Sequence, residues 1–200
     1  MAVFVKGFLK ENKAQAAAPF ELFVAVIIMT FVVIVGYQAL ERVNNEVCLN
    51  TVDREMTEFK TAIESTVNLK SSMSIIFRPD ESCFVSGASK GKEYASSMKI
   101  ELEDNPNVCS AACNYPSDKC HIMTFSNPNV AGAFRRKCLE LPSYTQFLKE
   151  SCQATELQAS SGYSPIDPTV EGIKIGRYDF RNISPAGDTY PKICVYWKAG

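Results

Sequence analysis

The sequence predicts an α+β protein in which a long N-terminal helix, first hydrophobic and then amphipathic, packs on a small antiparallel β-sheet head with disulfides. Three observations predict this fold class. From Ala16 to Tyr37 only Glu21 and Thr30 are polar. No glycine or proline occurs between Gly36 and Pro79, as expected of a helix that continues beyond the apolar run. From residue 71 onward Gly and Pro become frequent and short β-prone runs appear.

Composition excludes several classes of protein. The chain has 200 residues, 21 basic and 22 acidic side chains, and a formal net charge of −1. A protein that binds a phosphate backbone needs a basic surface, so no nucleic-acid partner is expected. An apolar content of 46% is too high for a disordered chain.

Residues 1–14 form a short basic leader, and residues 15–40 form a hydrophobic transmembrane or assembly helix. The 22 residues from Ala16 to Tyr37 would span about 33 Å as a helix, close to the hydrocarbon thickness of a bilayer. A cleavable secretory signal has an apolar stretch of only about 7–15 residues, so we expect this helix to be retained. Three lysines before the run predict a cytoplasmic N-terminus and an extracytoplasmic head.

The junction between the leader and the apolar run resembles that of type IV pilin precursors, in particular archaeal class III signal peptide proteins. The resemblance covers roughly the first 50 residues and rests on Asn12-Lys13-Ala14-Gln15, followed by an apolar helix with one early acid, Glu21. It implies that a prepilin peptidase cleaves between Ala14 and Gln15. The mature subunits then pack their helices into a homo-oligomeric filament at the cell surface, and Glu21 pairs with the N-terminal amine of a neighbouring subunit.

The position of the acid leaves a second cleavage site open. In the family the glutamate is usually the fifth mature residue, whereas cleavage after Ala14 makes Glu21 the seventh. Cleavage between Ala16 and Ala17 would restore the fifth position, but it would remove the glutamine from the first. We favour the Ala14–Gln15 site.

Residues 41–70 continue the helix, but its apolar face changes. A first stripe is formed by Ala39, Leu40, Val43 and Val47. A second stripe lies on roughly the opposite side, at 100° per residue, and is formed by Leu49, Val52, Met56, Phe59, Ile63 and Val67. A helix that changes its face has two partners: other subunits for the first stripe, and its own head for the second. A kink near residues 47–49 that re-aims one face is the alternative.

Residues 71–200 form the extracytoplasmic head. Its predicted strands are Ser74–Arg78, Cys83–Ser86, Met98–Leu102, His121–Phe125, Gly172–Phe180 and Lys192–Trp197. A capping-box pattern at Ser143 and Gln146 predicts one helix through Leu157. Residues 105–118 and 159–169 are predicted to be long loops.

All eight cysteines lie after the apolar run, which suits disulfides in an oxidising compartment. They are Cys48, Cys83, Cys109, Cys113, Cys120, Cys138, Cys152 and Cys194. We predict an intrachain bond from Cys48 to the head, with an intersubunit bond as the alternative. Cys109, Cys113 and Cys120 are expected to cross-link the long loop, and Cys138 and Cys152 to tie the helix region. The alternative for the cluster that ends in Cys120-His121 is a zinc site, but its irregular spacing favours disulfides.

No catalytic constellation, cofactor motif or metal site is predicted, because the only histidine, His121, adjoins a disulfide cysteine. Asn182-Ile183-Ser184 is an N-glycosylation sequon, so Asn182 is a glycosylation candidate. The basic cluster Arg135–Lys137 is expected to be a solvated face.

The sequence therefore predicts a structural subunit of a type IV pilus-like filament rather than an enzyme. Its partners would be other pilin-like subunits, a prepilin peptidase and membrane lipid. The alternative is a monomeric, membrane-anchored surface protein whose head binds a ligand or partner.

Overall fold

The computed structural model describes residues 12–80, 83–84, 96–114, 116–130, 132–152, 162–185, 188 and 190–200, with side chains from residue 19 onward. The chain divides into two compact units, with the boundary between Glu46 and Val47. The N-terminal unit is helical throughout its described part, and the C-terminal unit is a mixed α+β head with four disulfides. The predicted fold class is therefore confirmed.

Helix α1 spans Asn12–Leu69 as one uninterrupted element, with Pro19 as its only proline. Its sequence favours a helix because alanine and glutamate are frequent and glycine occurs only at Gly36. The helix ends where Lys70 adopts a left-handed backbone conformation with φ of 50°. The Asn182 side-chain amide donates to the Val67 carbonyl at 3.5 Å, which gives one of the last carbonyls of the helix a partner.

The larger sheet contains β1 (Met73–Phe77), β5 (Gln146–Leu148), β6 (Ser164–Ile166), β7 (Gly176–Asn182) and β8 (Lys192–Lys198). Its order is β1-β7-β8-β5, and β6 also pairs with β8. One edge of β8 is therefore shared: β5 runs parallel to it along Lys192–Cys194, and β6 runs antiparallel to it along Val195–Trp197. All the other pairings in this sheet are antiparallel.

The smaller sheet is an antiparallel meander of β2 (Ser97–Glu103), β3 (Cys120–Ser126) and β4 (Phe134–Leu139). Helix α2 (Pro106–Cys113) connects β2 to β3 and covers one face of the sheet. Strand β3 alternates accordingly: Cys120 and Ile122 pack against α2, whereas Met123 and Phe125 belong to the main core.

The main core lies where the C-terminal half of α1 meets both sheets. All six members of the second stripe are at least 92% buried. Phe59 is at the centre, with its ring edge-on to Phe77, Tyr178 and Phe180 at centroid distances of 5.0–6.0 Å. Aromatic side chains bury large apolar areas and favour this T-shaped geometry, so this cluster anchors the helix to the head.

Four predictions of local structure are wrong. The expected helix from Ser143 is replaced by β5 and a 3₁₀ turn at Glu150–Cys152, and residues 153–157 lie outside the described residues. The capping-box residues have other partners: the Ser143 hydroxyl donates to the Lys119 carbonyl, and the Gln146 N–H donates to the Pro191 carbonyl. Sheet pairing therefore outweighs the local helical pattern.

The second wrong prediction is the loop over residues 105–118, which contains α2. Asn105 caps this helix by accepting from the Asn107 N–H at 3.0 Å, and Pro106 lies in the first turn, where its missing N–H costs nothing. The third is the loop over residues 159–169, which contains β6. The fourth is the strand at Cys83–Ser86: Cys83 and Phe84 form a turn on the Asp80 carbonyl, and residues 85–86 lie outside the described residues.

Candidate assembly surface

The N-terminal half of α1 exposes a continuous apolar surface. Thirteen large apolar side chains between Phe20 and Val35 are exposed, with exposed fractions from 38% at Val24 to 70% at Met29. They surround the helix on every side rather than forming one face. By length and composition this helix can cross a membrane, and the apolar window has no buried residue.

Three residues predicted to direct processing and assembly lie at the start of this helix. Ala14 and Gln15 are in its first turn, and Glu21 is exposed two residues after Pro19. Proline has no N–H, so the carbonyl of Gln15 lacks its usual helical donor at this point. The acid and the interrupted hydrogen bond are therefore within six residues of each other along the chain.

The first stripe is exposed, in contrast to the second. Leu40, Val43 and Val47 are 64%, 55% and 60% exposed, whereas Cys48 and Leu49 are 7% and 8% exposed. The change from exposed to buried therefore occurs between residues 47 and 48, next to the boundary between the two units. The predicted packing of the second stripe against the head is confirmed by its burial, whereas a separate partner for the first stripe stays a prediction.

The Cys48–Cys83 disulfide ties the helix to the head at this point of change. Both sulfur-bearing residues are buried, and their Cα atoms are 5.3 Å apart. The predicted intrachain bond from Cys48 to the head is therefore confirmed.

The remaining six cysteines pair as Cys109–Cys120, Cys113–Cys138 and Cys152–Cys194. The first two bonds attach α2 to β3 and β4, and the third attaches the 3₁₀ turn to β8. Cys113 was expected to cross-link the loop over residues 105–118, but it bonds to Cys138 of β4 instead. Cys138 and Cys152, which were expected to tie one region, are in different bonds.

The alternative of a zinc site at Cys109, Cys113 and Cys120 is wrong. Each of these sulfurs is in a disulfide, so the cysteines hold no thiolate for a metal. No group of metal-binding side chains occurs in the described residues.

Ion pairs connect α1 to β4 and to the residue that follows it. Lys137 Nζ lies 2.9 Å from an Asp53 carboxylate oxygen, and Lys60 Nζ lies 3.4 Å from Glu140. The Glu140 N–H donates to the Glu64 carboxylate at 2.6 Å. Sequence reasoning missed these contacts, although the polar residues that flank the second stripe were the available signal.

The basic cluster is divided by its strand. Arg135 and Lys137 lie on one face of β4 and Arg136 on the other, because side chains alternate along a strand. Lys137 pairs with Asp53, and the Arg136 guanidinium lies 4.6 Å from the centre of the Phe134 ring. Arg135 donates to the Phe134 carbonyl at 3.0 Å. The three cations therefore do not form one patch.

Asn182, the glycosylation candidate, has a structural role in the head. Its Oδ1 accepts from the Ser184 N–H at 3.0 Å while its Nδ2 donates to Val67. The Ser184 hydroxyl oxygen in turn accepts from the Lys192 N–H at 2.7 Å. Both polar residues of the sequon thus take part in the contact between β7, β8 and the end of α1.

His121 is 3% exposed and packs edge-on against Phe147 at a ring distance of 6.0 Å. Its Nδ1 has no hydrogen-bond partner among the residues that the structure describes. Burial lowers the pKa of His121 below its ordinary value, and a hydrogen bond with the backbone of Thr145 opposes the shift. The imidazole is therefore neutral at neutral pH.

No protein-family model matches this chain, and no curated protein and no solved structure matches it either.

Proposed function

We propose that this protein is a structural subunit of a type IV pilus-like filament, inserted in the membrane and assembled through its N-terminal helix. The observation that carries the proposal is that the apolar half of α1 has exposed side chains on all sides while the amphipathic half is buried against the head. The C-terminal half of α1 is therefore already packed against the head, whereas the apolar surface of its N-terminal half remains exposed to a partner.

The size of the exposed surface requires a partner. Burying one large apolar side chain contributes about 1.5–3 kcal/mol, so the thirteen side chains between Phe20 and Val35 represent about 20–40 kcal/mol. A domain of ordinary stability unfolds at a cost of about 5–15 kcal/mol. This segment must therefore lie in lipid or against other protein chains.

The first stripe favours a filament over a monomeric anchor. The apolar run to Tyr37 already matches the hydrocarbon thickness, and Val47 lies about 15 Å further along the helix. The hydrocarbon of the bilayer therefore does not cover Val43 and Val47, which remain exposed in the chain. A second copy of the same helix would bury this stripe.

The resemblance of the leader to pilin precursors supports the same proposal. In this account the N-terminus is cytoplasmic and the head extracytoplasmic, and a prepilin peptidase releases residues 1–14. Mass spectrometry of the exported protein should then find Gln15 at the mature N-terminus. An intact leader on the exported protein would contradict the proposal.

Two matched substitutions test the role of the first stripe. Val43→Glu places a charge within the stripe, and Asn44→Glu places the same residue beside it on an exposed position. We expect Val43→Glu to reduce the filaments sheared from cells at least about tenfold, and Asn44→Glu to leave them near the wild-type amount. Equal yields from the two variants, with equal amounts of protein in the membrane, would favour a monomeric anchor.

A further inference from the structure

Two exposed tyrosines lie together on the head, outside both the core and the assembly surface. Tyr144 is 61% exposed and Tyr190 is 45% exposed, and their ring centres are 5.1 Å apart at an angle of 65°. The chain thus holds two large aromatic rings at a fixed angle in contact with water. A tyrosine ring has an apolar body and a polar hydroxyl, a combination that is enriched at binding interfaces.

Hydrogen bonds fix the loops that carry the two rings. The Thr145 N–H and hydroxyl both donate to the Pro142 carbonyl, at 2.9 and 2.8 Å, and form a tight turn that projects Tyr144 outward. The next residue, Gln146, donates its N–H to the carbonyl of Pro191, which follows Tyr190. The pair of tyrosine rings is therefore preorganised, which lowers the entropic cost of binding.

A polar cleft of about 670 Å³ opens beside Tyr144. The first turns of α2 form one wall with Asn107 and Ser110, and the segment that leads into β3 forms the other with Ser117, Asp118 and Lys119. The disulfides Cys109–Cys120 and Cys113–Cys138 hold α2 against the sheet. Both walls of the cleft are thus covalently braced.

The polar groups of the cleft supply both donors and acceptors. The hydroxyls of Ser117 and Ser143 donate to the Lys119 carbonyl at 2.6 and 3.3 Å, which leaves their oxygen lone pairs as acceptors. In the described part of the chain, the side chains of Asn107, Ser110 and Asp118 have no hydrogen-bond partner. They add an amide, a hydroxyl and a carboxylate.

The charges around the cleft select against anions. Lys119 Nζ pairs with Asp104 at 3.0 Å, and Asp118 adds a second carboxylate. Asp104 also raises the pKa of Lys119, so this cation persists above neutral pH. Two carboxylates against one ammonium disfavour a phosphate or another acidic ligand. The polar walls likewise disfavour a wholly apolar ligand, because its binding would desolvate them without compensation.

We propose that the cleft beside Tyr144 is a binding site for a neutral saccharide. A sugar ring has an apolar C–H face that stacks on a tyrosine ring, and its edge carries hydroxyls that both donate and accept. The cleft presents the same combination: one exposed aromatic wall, and hydroxyl, amide and carboxylate groups at its rim. The site is independent of filament assembly and goes beyond the proposed function.

Saturation-transfer NMR on the full chain in phosphatidylcholine nanodiscs tests this site without requiring a filament. The probes are maltotriose, cellotriose and triacetylchitotriose, with inorganic phosphate as the anionic control. We expect at least one trisaccharide to bind with a Kd on the order of millimolar, as an open cleft allows, and phosphate not to bind.

Variants locate the binding. Tyr144→Ala and Asp118→Ala should each weaken binding about tenfold or more, and Tyr144→Phe, which keeps the ring, should stay within about threefold of wild type. Phe134→Ala removes an exposed aromatic ring from β4, outside the cleft lining, and should change nothing. Masses that show four intact disulfides verify the fold of each variant.

Three outcomes would overturn the proposal: no transfer to any trisaccharide, binding that survives both Tyr144→Ala and Asp118→Ala, or competition by phosphate. If wild type binds no sugar and Tyr144→Ala instead reduces the filament yield, the tyrosine surface is an interface between copies of this chain.

Discussion

Glu21 is the single charged side chain between Ala16 and Tyr37, and it lies on an otherwise apolar helix surface. A carboxylate in the hydrocarbon core costs about 2.5–3.5 kcal/mol on insertion scales unless it is paired. In the proposed filament, the N-terminal amine of a neighbouring subunit supplies the positive charge that pairs with Glu21.

Replacing Glu21 separates assembly from insertion. Glu21→Ala should reduce sheared filaments at least about tenfold, because the intersubunit pair is lost, while membrane insertion is kept because the helix becomes more apolar. Immunoblots of the filament and membrane fractions measure the two effects. Glu41→Ala, which removes an acid beyond the apolar run, is the control. A normal filament yield from Glu21→Ala would refute the pairing.

His121 is a second residue whose environment sets a measurable property. It is the only histidine of the chain, and its folded pKa lies below the value of 6.5 expected when the chain is unfolded. The unfolded chain therefore binds more protons between these two values. Stability from this residue is complete above pH 6.5 and is lost as the pH falls through 6.5 towards the lowered folded pKa.

We expect the free energy of unfolding of the full chain in detergent micelles, measured by urea denaturation, to fall between pH 7.5 and 5, with a slope of up to about 1.4 kcal/mol per pH unit. His121→Phe removes the titrating group and should flatten the curve in this window. The pKa values of Glu101 and Glu171, which lysines and hydrogen bonds lower below 4.5, keep these carboxylates ionised there. Parallel curves for wild type and variant would contradict the assignment.

At the scale of elements, the disulfides differ in the length of chain that they close. Cys48–Cys83 closes a loop with a sequence separation of 35, and Cys109–Cys120 one of 11. In the chain-entropy model, these bonds stabilise the head by about 4 and about 3 kcal/mol.

Paired serine variants test this order. Cys48→Ser with Cys83→Ser should lower the free energy of unfolding more than Cys109→Ser with Cys120→Ser, measured by urea denaturation of the full chain in micelles. The larger loss is expected because the longer loop gains more entropy when its bond is removed. The opposite order would show that local strain or residual structure, rather than loop length, determines their contributions.

Periodic elements were predictable from sequence, and non-local ones were not. Helix α1 and its two stripes follow from residue spacing alone, and β2 and β8 from alternation and an apolar run. The local pattern predicts a helix where β5 lies, because the pairing of β5 with β8 joins residues about 46 apart along the chain, which no local pattern reveals. Strand β4 was missed because its residues Arg135–Lys137 suggested solvent exposure, whereas Lys137 pairs with Asp53 of α1.

In the candidate site, too, features that depend on local sequence could be predicted, and features that depend on distant residues could not. Glu21 and the exposed first stripe could be named from the sequence because they depend on one helix. The partner of Cys48 could not be chosen among the cysteines of the head, because it depends on where the segment after β1 returns to α1. The cleft beside Tyr144 could not be predicted from the sequence either. It forms only where α2, the segment that leads into β3 and the turn at Pro142 come together.

At the scale of the whole molecule, the chain combines a head with its own core and a helical unit whose apolar surface is left exposed. The head is stabilised by the second stripe, two sheets and four disulfides. In the proposed filament, the helical unit buries its apolar surface in lipid and against other copies of the chain. This difference in what each unit can bury is the physical basis of the proposed subunit role.

Site-specific photocrosslinking in living cells tests the central claim most directly. A photoreactive phenylalanine analogue at position 43 should crosslink the chain to further copies of itself and give a ladder of dimers and higher oligomers in the sheared filament fraction. The same analogue at position 44 should give far fewer such products. A chain that stays monomeric in the membrane fraction with the analogue at either position would contradict assembly through this helix.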